Sequence, residues 1–196
     1  DETNLSTDDD SVNFADNFTS TPDAGADGQA SVTSAYVLSV DDGTDSGLID
    51  TATGDAVTLH MNADGVTAEG RNDDGAVVFT VTVTASTGLV SLDQVRAVNH
   101  GNDANDHDSS VSLSTDAITL TRTDTITDGD GDTNTGSDSI GLGTNLNFKD
   151  DGPSIDVAKT DAAADDLTVD ETILSTDADS VNFADNFTST PDAGAD

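Results

Sequence analysis

Residues 79–84 read Phe79-Thr80-Val81-Thr82-Val83-Thr84, apolar and hydroxylated side chains in strict alternation. A period of two sends one set to a buried face and the other to water, which is the pattern of a half-buried antiparallel strand. The same rhythm recurs on both sides. Tyr36, Leu38 and Val40 alternate with Val37 and Ser39, and Val57, Leu59 and Met61 alternate with Thr58, His60 and Asn62. Val111 and Leu113 precede Ile118 and Leu120, and Ile140, Leu142, Leu146 and Phe148 share one parity. Asp42-Gly43, Asp64-Gly65 and Asp74-Gly75 supply turn chemistry between these runs. The expectation is an all-β, antiparallel Greek-key β-sandwich. One short helix is also expected, because Ser91-Leu92-Asp93-Gln94 has capping-box spacing and Leu92, Val95 and Val98 recur every third residue.

Composition bounds the function. The 196 residues carry 40 Asp and Glu against 5 Lys and Arg, a net charge of -35. No basic stripe is present to neutralise phosphates, so neither nucleic acid nor an anionic membrane is an expected partner. No apolar run approaches the roughly 18 residues of a membrane helix. With no Cys, disulfides and thiolate metal sites are excluded. Only Glu2, Glu69 and Glu171 are glutamates, so 37 of the 40 acidic residues are Asp. Asp with Gly and Asn is the chemistry of tight turns and of loops that hold hard cations.

The chain also repeats itself. Residues 1–27 recur as residues 170–196 at an offset of 169, with differences only at Asn4/Ile173 and Asp9/Ala178. The expected organisation is a tandem array of whole β domains. Residues 1–153 would form most of one repeat, ending in the linker Asp150-Asp151-Gly152-Pro153, and residues 154–196 would open the next. Two copies of one opening segment competing for one pairing slot also invite strand exchange.

The sharpest cluster is Asp128-Gly129-Asp130-Gly131-Asp132, where glycines let three carboxylates converge on one point. A hard cation with six to eight oxygen ligands relieves their repulsion, and Ca2+ is the expected cofactor. Thr133 and Ser139 stand where an EF-hand requires Gly and Glu, so that motif is absent. A second cluster pairs Asp150 and Asp151 with Asp170-Glu171, the latter being the second copy of Asp1-Glu2. A single last strand over 138–149 would place the DGDGD loop and this linker at opposite poles, so cations at the linker would bridge neighbouring repeats. Asp23 and Asp27 are further candidate ligands. Asn102, Asp103, Asn105, Asp106 and Asp108 form another dense stretch beside His100 and His107, whose imidazoles are expected to be solvated rather than zinc-bound. The competing account of all these clusters is a solvated acidic surface.

No nucleophile elbow, P-loop, GxGxxG or HExxH occurs, and one Tyr, no Trp and six Phe leave little for a sugar platform. Neither catalysis nor a small-molecule substrate is expected.

Taken together, DETNLSTD, NFTSTPDAGADG, SLDQVRAVNH, TITDGDGDTNT and NFKDDGP resemble the long tandem repeats of bacterial RTX adhesins exported by type I secretion. The resemblance implies an immunoglobulin-like extender module, rigidified by calcium, in an extracellular surface protein used for adhesion and biofilm formation. It implies Asp128, Asp130 and Asp132, with Asp150 and Asp151, as calcium ligands. Asp1-Glu2 and Asp170-Glu171 correspond to the acidic start of each module. The implied partners are neighbouring repeats of the same chain. The rival from another class is a calcium-dependent carbohydrate-binding module.

Overall fold

The structure is a computed structural model that describes residues 2, 5, 7, 9–101, 109–160 and 166–194. Among the described residues there are thirteen strands, connected by turns and single 3-10 turns. In chain order they are β1 (Asp9–Asn13), β2 (Gln29–Ser39), β3 (Thr44–Ile49), β4 (Ala56–Met61), β5 (Thr67–Arg71), β6 (Val77–Val83) and β7 (Leu89–Gln94). They continue as β8 (Ser110–Ser112), β9 (Thr119–Asp128), β10 (Thr133–Gly141), β11 (Asn147–Lys149), β12 (Ser154–Lys159) and β13 (Phe187–Asp192).

The chain divides into two compact units, with the break between Gly152 and Pro153. The first is an all-β antiparallel sandwich. One layer is six-stranded in the order β1-β7-β6-β5-β4-β3; the rest is built from β10-β9-β2 and the short pair β11-β8. A meander runs from β3 to β7, and a long connection lays β1 against β7 with Val12 opposite Val90. The alternating runs supply the core: Tyr36, Leu38 and Leu120 from the smaller sheet meet Val57, Leu59, Phe79, Val81 and Val83 from the larger one. Phe79 and Phe148 close the interior edge to face, 5.0 Å between centroids. Phe79 lies over Gly70 on the neighbouring strand, where a Cβ would come within 2.1 Å of its ring. This contact requires the glycine in β5, whose sequence Thr67-Ala68-Glu69-Gly70-Arg71 shows little strand signal.

Two sequence expectations are corrected. Ser91-Leu92-Asp93-Gln94 is not a helix but the second half of β7, a central strand paired with β1 on one side and β6 on the other. A single helical turn satisfies few backbone groups at a high nucleation cost, whereas two flanking strands satisfy a full ladder. The strand expected over 138–149 is broken. β10 ends at Gly141, a 3-10 turn spans Gly143–Asn145, and β11 joins a different sheet. The break fits the backbone of the turn around Asp116, because a Cβ on Gly143 would lie 1.9 Å from the Ser114 carbonyl oxygen. Leu142, Leu146 and Phe148 are nonetheless buried, as their shared parity requires. One straight strand therefore does not separate the DGDGD loop from the linker.

The second unit, Pro153–Gly194, is a two-stranded antiparallel ribbon in which β12 pairs with β13 from Ser154–Asp192 to Lys159–Phe187. All residues of both strands are exposed. Among the described residues no helix is long and apolar enough to cross a membrane.

Candidate metal centres

The DGDGD loop is the turn between β9 and β10. Asp128 organises it: its backbone N–H donates to the Asp132 carbonyl (3.0 Å), and its Oδ1 accepts from the N–H of Gly131 (3.0 Å) and Asp132 (2.9 Å). Asp27, from a 3-10 turn just before β2, joins from the neighbouring strand end, so that Asp27, Asp128 and Asp130 each place a carboxylate oxygen within 4.8 Å of the others. Gly129 permits this approach, since a Cβ there would lie 2.4 Å from the Asp27 carbonyl oxygen. Hydrogen bonding with the Asp130 carboxyl, aided by the loop N–H groups against partial burial, holds the Asp128 carboxyl below its ordinary value. Of the residues expected to ligate here, the structure brings together Asp27, Asp128 and Asp130 and leaves Asp132 outside that group. Asp23 instead shapes its own turn, accepting from the Gly25 N–H at 3.0 Å.

An ion pair lies along β9 itself, in the middle of its ladder with β10. Arg122 on β9 grips Asp124 with two parallel bonds, Nε to Oδ1 at 2.8 Å and Nη2 to Oδ2 at 3.0 Å, while donating to the Ser34 hydroxyl at 3.2 Å. Arg122 first, against burial and with help from Ser20 and Ser34, draws the Asp124 carboxyl from 3.8 to about 2. This pair lines a cleft of about 430 Å³ whose wall includes Phe18, Thr19, Ser20 and Pro22.

A second group was only half legible. Glu2, His100 and Asp150 also place ligand atoms within 4.8 Å of one another. Glu2 is fully buried, and its Oε1 accepts from Gln94 Nε2 (2.5 Å) and the Val98 N–H (2.8 Å). The expectation of a solvated His100 is overturned: its side chain is 2 % exposed, with Nε2 3.1 Å from the Phe148 carbonyl oxygen and Nδ1 3.6 Å from Asp150 Oδ1. The Asp150 backbone N–H donates to the Ser109 carbonyl at 2.9 Å, which fixes the end of β11.

The strap carrying Val98 and His100 is anchored by Asp50, a fully buried carboxylate that the sequence reading missed. Asp50 accepts from Arg96 Nε (2.9 Å), Arg96 Nη2 (3.3 Å) and Asn72 Nδ2 (2.8 Å). Burial pushes its carboxyl up, but the bonds from Arg96, Asn72 and the Ala52 N–H, with the charge of Arg96, outweigh it and leave the value lowered. No local motif marks Asp50; the nearest clue is an acidic residue at the end of a strand whose partner lies 46 positions away.

Of the remaining expected ligands, Asp151 belongs to the first unit and Asp170 and Glu171 to the second. Asp151 is half-buried. Asp170 caps a 3-10 turn by accepting from the Thr172 N–H (2.7 Å), and Glu171 is exposed. The Thr172 hydroxyl and N–H hold the Asp170 carboxyl below its ordinary value. Asp1, Asn102, Asp103, Asn105, Asp106, His107 and Asp108 lie outside the described residues.

Fold and sites together define an acidic β-sandwich with carboxylate groups gathered at loop ends. The model of a domain of unknown function, DUF5801, matches residues 1–141, and the chain belongs to that family. No curated protein and no solved structure matches the chain.

Proposed function

We propose that this chain is a non-catalytic extender repeat of a large bacterial surface adhesin, stiffened by calcium so that an array of repeats projects distal binding domains. The observation that carries the reading is the convergence of Asp27, Asp128 and Asp130 from segments about a hundred residues apart in sequence. Ionised carboxylates at this spacing repel one another, and a hard divalent ion with oxygen ligands turns the repulsion into a cross-link. The repeat at an offset of 169 and the absence of Cys support the same picture, with ions serving where other extracellular domains use disulfides. Extracellular calcium reaches the millimolar range that saturates such modules, whereas low cytosolic calcium would leave the chain loose for export. The acidic groups flanking the cleft do not argue for hydrolysis, because Asp124 is committed to Arg122 and held ionised.

Thermal unfolding in EDTA, then in millimolar CaCl2, MgCl2 and NaCl of matched ionic strength, tests this. Calcium at a hundred times its dissociation constant adds about 2.7 kcal/mol, or a midpoint rise of about 5–10 °C for a unit of this size. The rise should be specific to calcium and should shrink in Asp130→Asn. Equal responses to all three salts would reduce the effect to screening and remove the calcium sites from the account.

A further inference from the structure

We infer that Glu2, His100 and Asp150 form a binding site for one transition-metal ion of the zinc class, within a single repeat and independent of the calcium reading. A backbone carbonyl can only accept, so the 3.1 Å contact with the Phe148 oxygen places the ring proton on Nε2. In the neutral ring, Nδ1 is then a bare lone pair. It is buried, makes no hydrogen bond, and faces a carboxylate oxygen 3.6 Å away.

Two acceptors facing each other require a cation, either a second ring proton or a metal ion. The separation discriminates. It is too long for a charge-assisted N–H···O bond, which closes to about 2.7–2.9 Å. Ligands about 2.0–2.1 Å from a tetrahedral zinc ion sit about 3.3 Å apart, so the His100–Asp150 edge needs to contract by a few tenths of an ångström and the edges to Glu2, within 4.8 Å, by at most about 1.5 Å.

The rest of the group suits the same ion. Glu2 contributes a carboxylate at zero exposure whose Oε1 is already oriented by Gln94 and Val98, the kind of outer support that metal-bound carboxylates have. A divalent ion carries the charge opposite to that of the two carboxylates it would join, Glu2 and Asp150. One imidazole and two carboxylates form the mixed nitrogen and oxygen set that zinc accepts. Calcium requires six to eight oxygens and gains little from a ring nitrogen. The consequence is a staple. Glu2 is tied to the strap after β7 and to the end of β11, the last strand of the first unit.

The test uses the untagged full chain, stripped of metal and held in excess CaCl2 to occupy the acidic loops. Zn2+ titration by calorimetry should show one saturable equivalent. Affinity should fall at least a hundredfold in His100→Ala and at least tenfold in Glu2→Gln, with the calcium-induced midpoint shift unchanged. Because either variant could fail to fold, two readouts use the unaltered chain: visible absorption of the Co2+ adduct, and long-range 1H–15N correlation of His100. A d–d band of nitrogen and oxygen coordination, with the Nδ1 resonance shifted on Zn2+ addition, supports the site. Absence of a saturable equivalent, affinity unchanged in both folded variants, or a His100 ring protonated on both nitrogens in excess Zn2+ overturns it.

Discussion

Lowering the pH should cost the first unit stability through one residue in the middle of β9, Asp124. Its carboxyl titrates at about 2 in the folded chain against 3.8 without its partners, chiefly because Arg122 binds it with two bonds. At about 1.4 kcal/mol for each pH unit, that difference is worth about 2 kcal/mol. The side chains are 17 % and 16 % exposed, so solvent screening trims the figure without removing it. A depressed folded value stabilises above the unfolded pKa. The contribution is therefore fully present from about pH 5 upward, falls as the pH drops below 4, and is gone only near pH 1, below both values. Urea unfolding of the native chain and of Asp124→Asn, both in EDTA, isolates it, since the other carboxylates titrate alike in both proteins. The stability gap should be about 1.5 kcal/mol larger at pH 6 than at pH 2.5. A gap that does not change with pH would show that the Arg122–Asp124 pair does not shift the titration, and the reasoning would fail.

Two further outcomes follow from close contacts. Gly129→Ala should destabilise by about 1–3 kcal/mol and abolish the calcium-specific rise in melting midpoint, because its Cβ would collide with the Asp27 carbonyl oxygen 2.4 Å away and push that residue out of the cluster. Arg96→Met should cost about 3–5 kcal/mol in urea unfolding at pH 7 by stranding the buried Asp50 carboxylate. Adding Asp50→Asn to that variant should recover part of the loss, and no recovery would mean that the guanidinium acts by packing alone.

How far the sequence could be read depended on whether a signal was local. The alternation in β2, β4 and β6 was visible because each strand's buried face is written into consecutive residues. β5 and β7 were not: Gly70 is explained only by Phe79 on the next strand, and the ends of β7 resemble a capped helix until its two neighbours are known. The candidate sites divide in the same way. Asp128 and Asp130 were evident from their spacing in one loop, while Asp27 was a candidate ligand by itself, and only the fold joins it to that loop. His100 was misread because burial is a property of what surrounds a residue, and here the surroundings are Phe148, Asp150 and Glu2.

The internal repeat separates the two kinds of information directly. Phe18-Thr19-Ser20-Thr21-Pro22-Asp23 and Phe187 to Asp192 are the same hexapeptide. The first copy is irregular, with Phe18 edge to face on Tyr36 at 6.2 Å; the second is strand β13 paired with β12, and Phe187 is 59 % exposed. Ser11-Val12-Asn13 is strand in β1, whereas the identical residues 180–182 have no regular structure. Glu2 is buried beside His100, whereas Glu171 is exposed. Sequence alone determined what holds at every copy: an all-β chain, an acidic surface, apolar parity and carboxylate-rich turns. Tertiary structure decided which copies become strands and which carboxylates become ligands, because a strand needs a partner edge and a ligand group needs atoms from distant segments, and neither is encoded within the segment itself.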